Sequence, residues 1–357
     1  MKKHGKFLIQ IFLIIAITVI FYFSYITINL NNTLNISSPP SSFPFVNSTE
    51  TNDYHIWLIF TKVSNDSPLT VKFKNLVYNL VNVSLDVPIK FHIIIDEQSK
   101  IIAQNKLSEV VYKLNQSLTY KFYNVQECAS KISDIVSVMS PFFSSKPGTY
   151  YSDALFYLSL GLYRFAPISQ KRALLLDCDV YFKRSVSVLF AEFNRFKPSA
   201  IFGLSPELSP VYHHILHTYK RKHKTTFGEF YHSRAIAPLN VHPRGFQGYN
   251  SGIVLINLEK QRSSKEFAQI ILKENVSNIT TKYKFRGHLG DQDFYTLIGY
   301  EYPQLIQTLN CGFNRQLCTW WREHGYKNIF NYYFKCDHET VVLHGNCNTK
   351  FDMLYGI

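Results

Sequence analysis

At 357 residues and 46% hydrophobic, the chain can bury a large core in one sizeable α/β domain or in two small ones, which excludes a disordered protein. The formal net charge is +13, but three of the lysines precede a long apolar run, and the densest remaining basic stretch, Tyr219 to Lys224 (YKRKHK), has no interleaved aromatics. That stretch reads as a solvated loop, with a nearby phosphate-bearing ligand as the sharper alternative.

The first element is the run from Phe7 to Ile28, 22 residues without a charge, long enough to cross a bilayer. A cleaved signal peptide has a shorter apolar region and a small-residue cleavage site, and neither is found here. Lys2, Lys3 and Lys6 before the run keep the N-terminus cytosolic. The reading is a type II signal anchor, with a cytosolic tail over 1–6, a span over 7–28, a flexible stem rich in Asn, Ser, Thr and Pro over 29–52, and a luminal domain over 53–357. Nucleic acid is not a partner expected behind such an anchor.

Two further features agree with an exocytic location. Asn-x-Ser/Thr sequons begin at Asn31, Asn35, Asn47, Asn65, Asn82, Asn115, Asn275 and Asn278, which suits a glycosylated surface. Of the cysteines, Cys311, Cys318, Cys336 and Cys347 crowd the C-terminal region, while Cys128 and Cys178 stand apart. No CxxC spacing favours zinc, so the cluster reads as local disulfides whose pairing the spacing does not define.

From Tyr54 onward, short apolar runs alternate with helical patterns. YHIWLIFT is a strand ending at Thr61. Ser67 and Pro68 then sit where an N-cap and first helical residue belong, followed by Leu69, Phe73, Leu76, Val77 and Leu80 at helical spacing. IKFHIIID is the next strand, DALFYLSLGLYRF from Asp153 an apolar helix, and RALLLDCD the strand after it. AIFGLS, GIVLINL and VVLHGN are further strands. This alternation predicts a mostly parallel sheet with ligands at the carboxyl ends of its strands.

Against that background Asp177 and Asp179, in RALLLDCDVYF, stand out. Two like charges this close repel one another, and each loses hydration at the edge of a core. A strand places residues i and i+2 on one side, so both carboxylates can face one divalent ion. The plain alternative is a solvated turn after a strand. A phosphatase of the haloacid-dehalogenase type also uses Asp-x-Asp after a strand, but Val180 and Tyr181 depart from its pattern. The other chemistry is a metal held against the diphosphate of a nucleotide sugar.

The segments GYNSGIVLINLEK, KYKFRGHLGDQDFYTLIG, CGFNRQLCTWWREHGY and VVLHGNCNTK, taken with LLLDCDVYF, resemble the retaining glycosyltransferase family that includes glycogenin (family 8), and more closely its xyloside α-1,3-xylosyltransferases. The resemblance runs from about Tyr54 to the C-terminus. It implies a GT-A nucleotide-sugar-binding fold with a Rossmann-like mixed sheet, a UDP-xylose donor, and retaining transfer to the 3-hydroxyl of an α-linked xylose on O-glucosylated EGF-like repeats, as in Notch ectodomains. It further implies a single-pass protein of the endoplasmic reticulum membrane, with the Golgi as alternative. The same fold can use UDP-glucose or UDP-galactose, or survive as a silent glycan-binding protein.

Carried over residue by residue, the resemblance makes Asp177, Asp179 and His344 the ligands of Mn²⁺, with Mg²⁺ possible; carboxylates and one imidazole suit such an ion. Gln292 matches the group beside the anomeric carbon, where a neutral amide favours a front-face route over a covalent one. Asp291 is expected to orient donor hydroxyls or a lysine, and Asp293 to cap the helix that follows. Thr61, Lys62 and Gly345 match the nucleotide-binding region, and Asn250 and Ser251 match contacts to the donor, although GYNSG also reads as a turn. Trp320, Trp321, Asn346, His288 and Leu289 are the candidate acceptor-binding residues, with one tryptophan expected to pack inward and the other to offer a flat face. Asn314 and Arg315 are weaker candidates. Cys178, where the family has an apolar residue, reads as a small buried hydrophobe, with a reactive thiol as the alternative.

Overall fold

Strand β1 (Tyr54–Phe60) is apolar on both sides because both sides are covered: Ile56, Leu58 and Phe60 enter one core and Trp57 the other. It opens a computed structural model that describes residues 54–144, 154–232, 244–350 and 352. The expected tail, span and stem (1–52) lie outside the described residues. Among the described residues no helix is long and apolar enough to cross a membrane.

Seven strands form the central sheet, in the order β3-β2-β1-β4-β7-β6-β8. They are β1, β2 (Ile89–Ile95), β3 (Thr119–Asn124), β4 (Arg172–Leu176), β6 (Phe202–Pro206), β7 (Tyr249–Asn257) and β8 (Ile306–Thr308). β3, β2, β1 and β4 run parallel, while β7 lies antiparallel to both β4 and β6. The expected, mostly parallel sheet is thus a mixed one with a reversed strand in its middle. The last apolar run, VVLHGN, does not join it. Instead β10 (Val342–His344) sits between β5 (Val180–Phe182) and β9 (Arg315–Gln316) in a small second sheet.

Helices cover both faces. Pro68–Val83 begins as expected, with the Ser67 side chain accepting from the Leu69 N–H and Pro68 in its first turn. It packs with Glu97–Leu114 on the face holding Phe73, Leu76, Ala103 and Leu107. Asp96 caps that second helix by accepting from the Ser99 N–H. The other face carries, among others, Ser133–Phe143, Lys273–Tyr283 and Asp291–Glu301.

The DALFYLSLGLYRF segment is not one continuous helix: Asp153 lies outside the described residues, and the rest breaks before the short helix Leu158–Gly161 and the 3-10 turn Leu162–Arg164. Gly161 is pressed so closely on Ile132 that a Cβ there would meet its Cγ2 at 2.2 Å. The GYNSG segment is not a turn either, because β7 begins at Tyr249 and includes Asn250 and Ser251. Two disulfides, Cys311–Cys336 and Cys318–Cys347, staple the C-terminal region, and Cys128 and Cys178 are free and buried.

Candidate active site

β4 ends at Leu176, so Asp177 and Asp179 lie in the connection to β5 and not on the strand itself. A turn, more than strand pleat, aims them. The Asp177 N–H donates to the Gly252 carbonyl on β7 at 2.8 Å, extending the β4–β7 pairing past the strand end. On the other side β5 pairs with β10, which sets Val180 opposite His344, and the Gly345 N–H donates to the Asp179 carbonyl at 2.8 Å. A residue 165 positions further along the chain than Asp179 is thereby brought to the aspartates: His344 Nε2 lies 3.3 Å from Asp179 Oδ1 and 3.6 Å from Asp177 Oδ2.

The ligand atoms of these three side chains fall within 4.8 Å of one another. Asp177 is exposed, Asp179 half-buried and His344 buried, so the site opens to solvent on the Asp177 side. Burial by itself lowers the basicity of His344, but hydrogen bonds from the ring to Asp177 and Asp179 outweigh it and raise the imidazole to about 9. The space between the two carboxylates that Nε2 faces is the place a divalent cation would take, with the ring neutral. Two carboxylate oxygens and one imidazole nitrogen fit Mn²⁺ or Mg²⁺.

The far side of His344 is fixed by residues whose chemistry only the tertiary structure discloses. Its Nδ1–H donates to Asn314 Oδ1 at 2.9 Å, which directs Nε2 at the aspartates. Asn314 in turn donates to Asn250 Oδ1 at 2.9 Å, and Asn250 donates to Glu207 Oε2 at 2.9 Å. Gln292 joins the same network, donating to Glu207 Oε2 at 3.3 Å and accepting from the Ser251 N–H at 3.2 Å. Glu207 is 3% exposed. Burial raises its carboxyl against the opposing bonds from Asn250 and Ser209. One buried carboxylate therefore orients both the amide of Gln292 and, through two asparagines, the imidazole of His344. Gly252 admits that imidazole, since a Cβ there would fall 2.1 Å from His344 Cε1.

Asp291 and Gln292 open the helix Asp291–Glu301 after Gly290, which turns the chain at φ 64°. The Asp291 carboxyl is pushed up to about 7 by burial, against hydrogen bonds from Ser159 and Ser251. Ser159 also accepts from the Tyr295 hydroxyl at 2.7 Å. Asp293 does hold the helix start: it accepts from the Leu289 N–H at 2.7 Å and from the Tyr212 hydroxyl at 3.1 Å.

Asp293 is fully buried and its carboxyl is likewise pushed up to about 7, by burial first, from an ordinary 3.8. A carboxyl raised on folding stabilises the fold fully below its unfolded pKa and loses that contribution as pH climbs through the folded one. Wild-type stability should thus fall by an amount on the order of a few kcal/mol from this group between about pH 4 and pH 7, read as a declining melting temperature. Asp293→Asn keeps an oxygen for one donor and does not titrate, so thermal scans across this window should show a flatter slope. An unchanged slope would refute the assignment.

Of the other expected residues, Thr61 is half-buried just past β1. Lys62 takes a left-handed φ of 56° with its N–H donating to Asp96. Asn346 accepts from the Leu317 and Cys318 N–H groups at 3.1 and 3.0 Å, so its side-chain oxygen serves the loop. The tryptophans divide as expected: Trp321 packs inward against His214 and Tyr326, and Trp320 remains 49% exposed with one face stacked on His324. His288 is exposed and Leu289 half-buried beside the helix start. Arg315 covers the Phe334 ring and donates to its carbonyl at 3.0 Å. Burial pushes the Cys178 thiol far above its ordinary range, as befits a small hydrophobe.

Glu207, Asn314 and Lys72 are missing from the sequence expectations or weak in them. Glu207 sits between prolines in SPELSP and looks like a loop charge. Lys72 offered a signal, because it falls on the apolar face of its helix beside Phe73 and Leu76.

No family model matches the chain. It is 37% identical over 305 residues to xyloside xylosyltransferase 1 of Mus musculus, covering 83% of this chain and 74% of that protein. Against the Homo sapiens protein of the same name it is 37% identical over 304 residues, with the same coverage of each. The crystal structure of the mouse protein in its apo form matches with a TM-score of 0.76 at 36% identity, covering 84% of this chain and 99% of that one. The mixed α/β architecture is accordingly GT-A-like.

Proposed function

Because the chain belongs to the xyloside xylosyltransferase family of glycosyltransferases, we propose that it transfers xylose from UDP-xylose to the 3-hydroxyl of an α-linked xylose on O-glucosylated, Notch-type EGF-like repeats, with retention of configuration. Xylosyl transfer follows from the family; donor, linkage and acceptor are this proposal. The observation that carries it is the convergence of Asp177, Asp179 and His344, with Gln292 tied into the same buried network.

Asp177, Asp179 and His344 would hold the divalent ion, Mn²⁺ or Mg²⁺, and a bound ion supplies neutralisation of charge on the departing diphosphate. Asn314 keeps the imidazole lone pair on the ligand side. Gln292, a neutral amide pinned between Glu207 and the Ser251 N–H, is a poor nucleophile. It is suited to stabilising a short-lived oxocarbenium-like ion in a front-face transfer, where the leaving phosphate assists the acceptor hydroxyl. The half-exposed Trp320 supports an apolar contact to the acceptor. The charge-free run over 7–28 and the sequons support residence as a type II protein of the endoplasmic reticulum membrane, or of the Golgi.

The test is to offer UDP-xylose, UDP-glucose and UDP-galactose with Mn²⁺ to the purified full-length chain and an EGF-like repeat bearing xylosyl-glucose. A pentose mass increment from UDP-xylose alone is expected. A hexose increment would move the reading to the same-fold rivals, and no increment from any donor would leave a silent glycan-binding protein.

A further inference from the structure

Lys72 is the feature of the site that the metal triad does not account for. It lies in the helix Pro68–Val83, on the inward face with Phe73 and Leu76, and is 6% exposed. A lysine so buried needs partners. Its Nζ donates to Asp179 Oδ2 at 3.4 Å and to Asn348 Oδ1 at 3.2 Å. The two oxygens of Asp179 are therefore divided, Oδ1 toward His344 and Oδ2 toward Lys72. The ammonium is carried by a helix, and the loop that supplies its second partner is held as well. Asn348 holds a left-handed φ of 56° directly after Cys347, which is bonded to Cys318, and the same loop begins with the Gly345 N–H on the Asp179 carbonyl.

The charges then count against a bare cation. With the imidazole neutral, as a ligand must be, Asp177 and Asp179 bring two negative charges, and Lys72 cancels one of them at the very carboxylate that would bind the ion. A dication entering alone meets one net negative charge and a fixed ammonium. An anionic diphosphate entering with it restores the excess of negative charge and gives the ammonium a second partner.

We propose that Lys72 is a positioning residue that couples divalent-cation binding to the nucleotide diphosphate, holding Asp179 so that the cation site is weak when alone and strong once UDP is present. This rests on the metal- and UDP-dependent reading above. Such coupling is reciprocal, so the cation must raise the affinity for UDP by the same factor.

The measurement is Mn²⁺ binding to the full-length chain, read from the electron paramagnetic resonance signal of free Mn²⁺, with and without saturating UDP. In wild type, UDP should tighten Mn²⁺ at least about tenfold, a coupling within the usual range. Lys72→Met should bind Mn²⁺ alone more tightly than wild type, and its UDP enhancement should shrink to about threefold or less. Lys72→Gln should behave like Lys72→Met, and Lys72→Arg, which keeps the charge, should restore the coupling. A merely structural lysine would not sort its variants by charge. Unchanged coupling in both Lys72→Met and Lys72→Gln, or weaker binding of Mn²⁺ alone, would overturn the inference while leaving the functional reading intact. Absence of Mn²⁺ binding by wild type even with UDP would overturn both.

Discussion

Asp177→Asn and Asp179→Asn should each reduce xylosyl transfer about a thousandfold, because several kcal/mol of leaving-group stabilisation is lost when one ligand of the ion becomes an amide. Mn²⁺-dependent UDP binding should weaken in both. The two variants should differ in stability. The Asp177 side chain is 60% exposed, so solvent screens its charge and losing it costs the fold little. Asp179, 17% exposed, is the charged partner of buried Lys72, so Asp179→Asn strands an ammonium in the interior and should lower the melting temperature more. Steady-state transfer assays, UDP titrations and thermal scans on the same preparations check this. Normal turnover by either variant, or by wild type in chelated buffer, would end the metal assignment.

Gln292→Ala should lower the turnover number by two to three orders of magnitude, about the cost of removing one preorganised group that acts on developing charge. Affinities for UDP and Mn²⁺ should barely move, since the amide is bonded to Glu207 and the Ser251 N–H and not to the triad. A loss confined to the chemical step, with binding intact, is what distinguishes it from the aspartates. Gln292→Glu is the sharper variant. It would set a carboxyl 3.3 Å from the Glu207 oxygen, so one of the pair must take a proton. The variant should lose activity without accumulating a xylosyl-enzyme adduct in intact-mass spectra. A xylosyl adduct on any residue of the wild-type protein would overturn the front-face route and leave the transferase assignment standing.

Much of the scaffold was legible because it obeys local rules. The continuous apolar runs of β1 and β2, the Ser67 and Pro68 start of the first helix, and the crowding of four cysteines into two disulfides each follow from neighbours in the chain. The misread segments fail for nonlocal reasons. GYNSG has the composition of a turn, yet most of it is strand because Tyr249 and Asn250 pair with Pro206 and Ser205 of β6, and the Gly252 carbonyl on the other side accepts from the Asp177 N–H. The break in DALFYLSLGLYRF goes with Gly161 packed beneath Ile132, a contact that no periodicity reports.

By itself the sequence determined which residue types could do the chemistry: an Asp-x-Asp at the end of an apolar strand, a histidine before a glycine, and a glutamine among aspartates at a helix start. Charge, polarity and spacing are properties of the chain, and they survive any fold. What only the tertiary structure decided is how those groups are held. Asn314 sets the imidazole, Glu207 sets Gln292 and Asn250, and Lys72 divides the oxygens of Asp179. Each partner lies far along the chain and sits in a segment whose local pattern reads as loop or helix. The physical reason is that a buried hydrogen bond or ion pair depends on which elements the sheet order places side by side, and that order is set by packing both faces of one sheet at once.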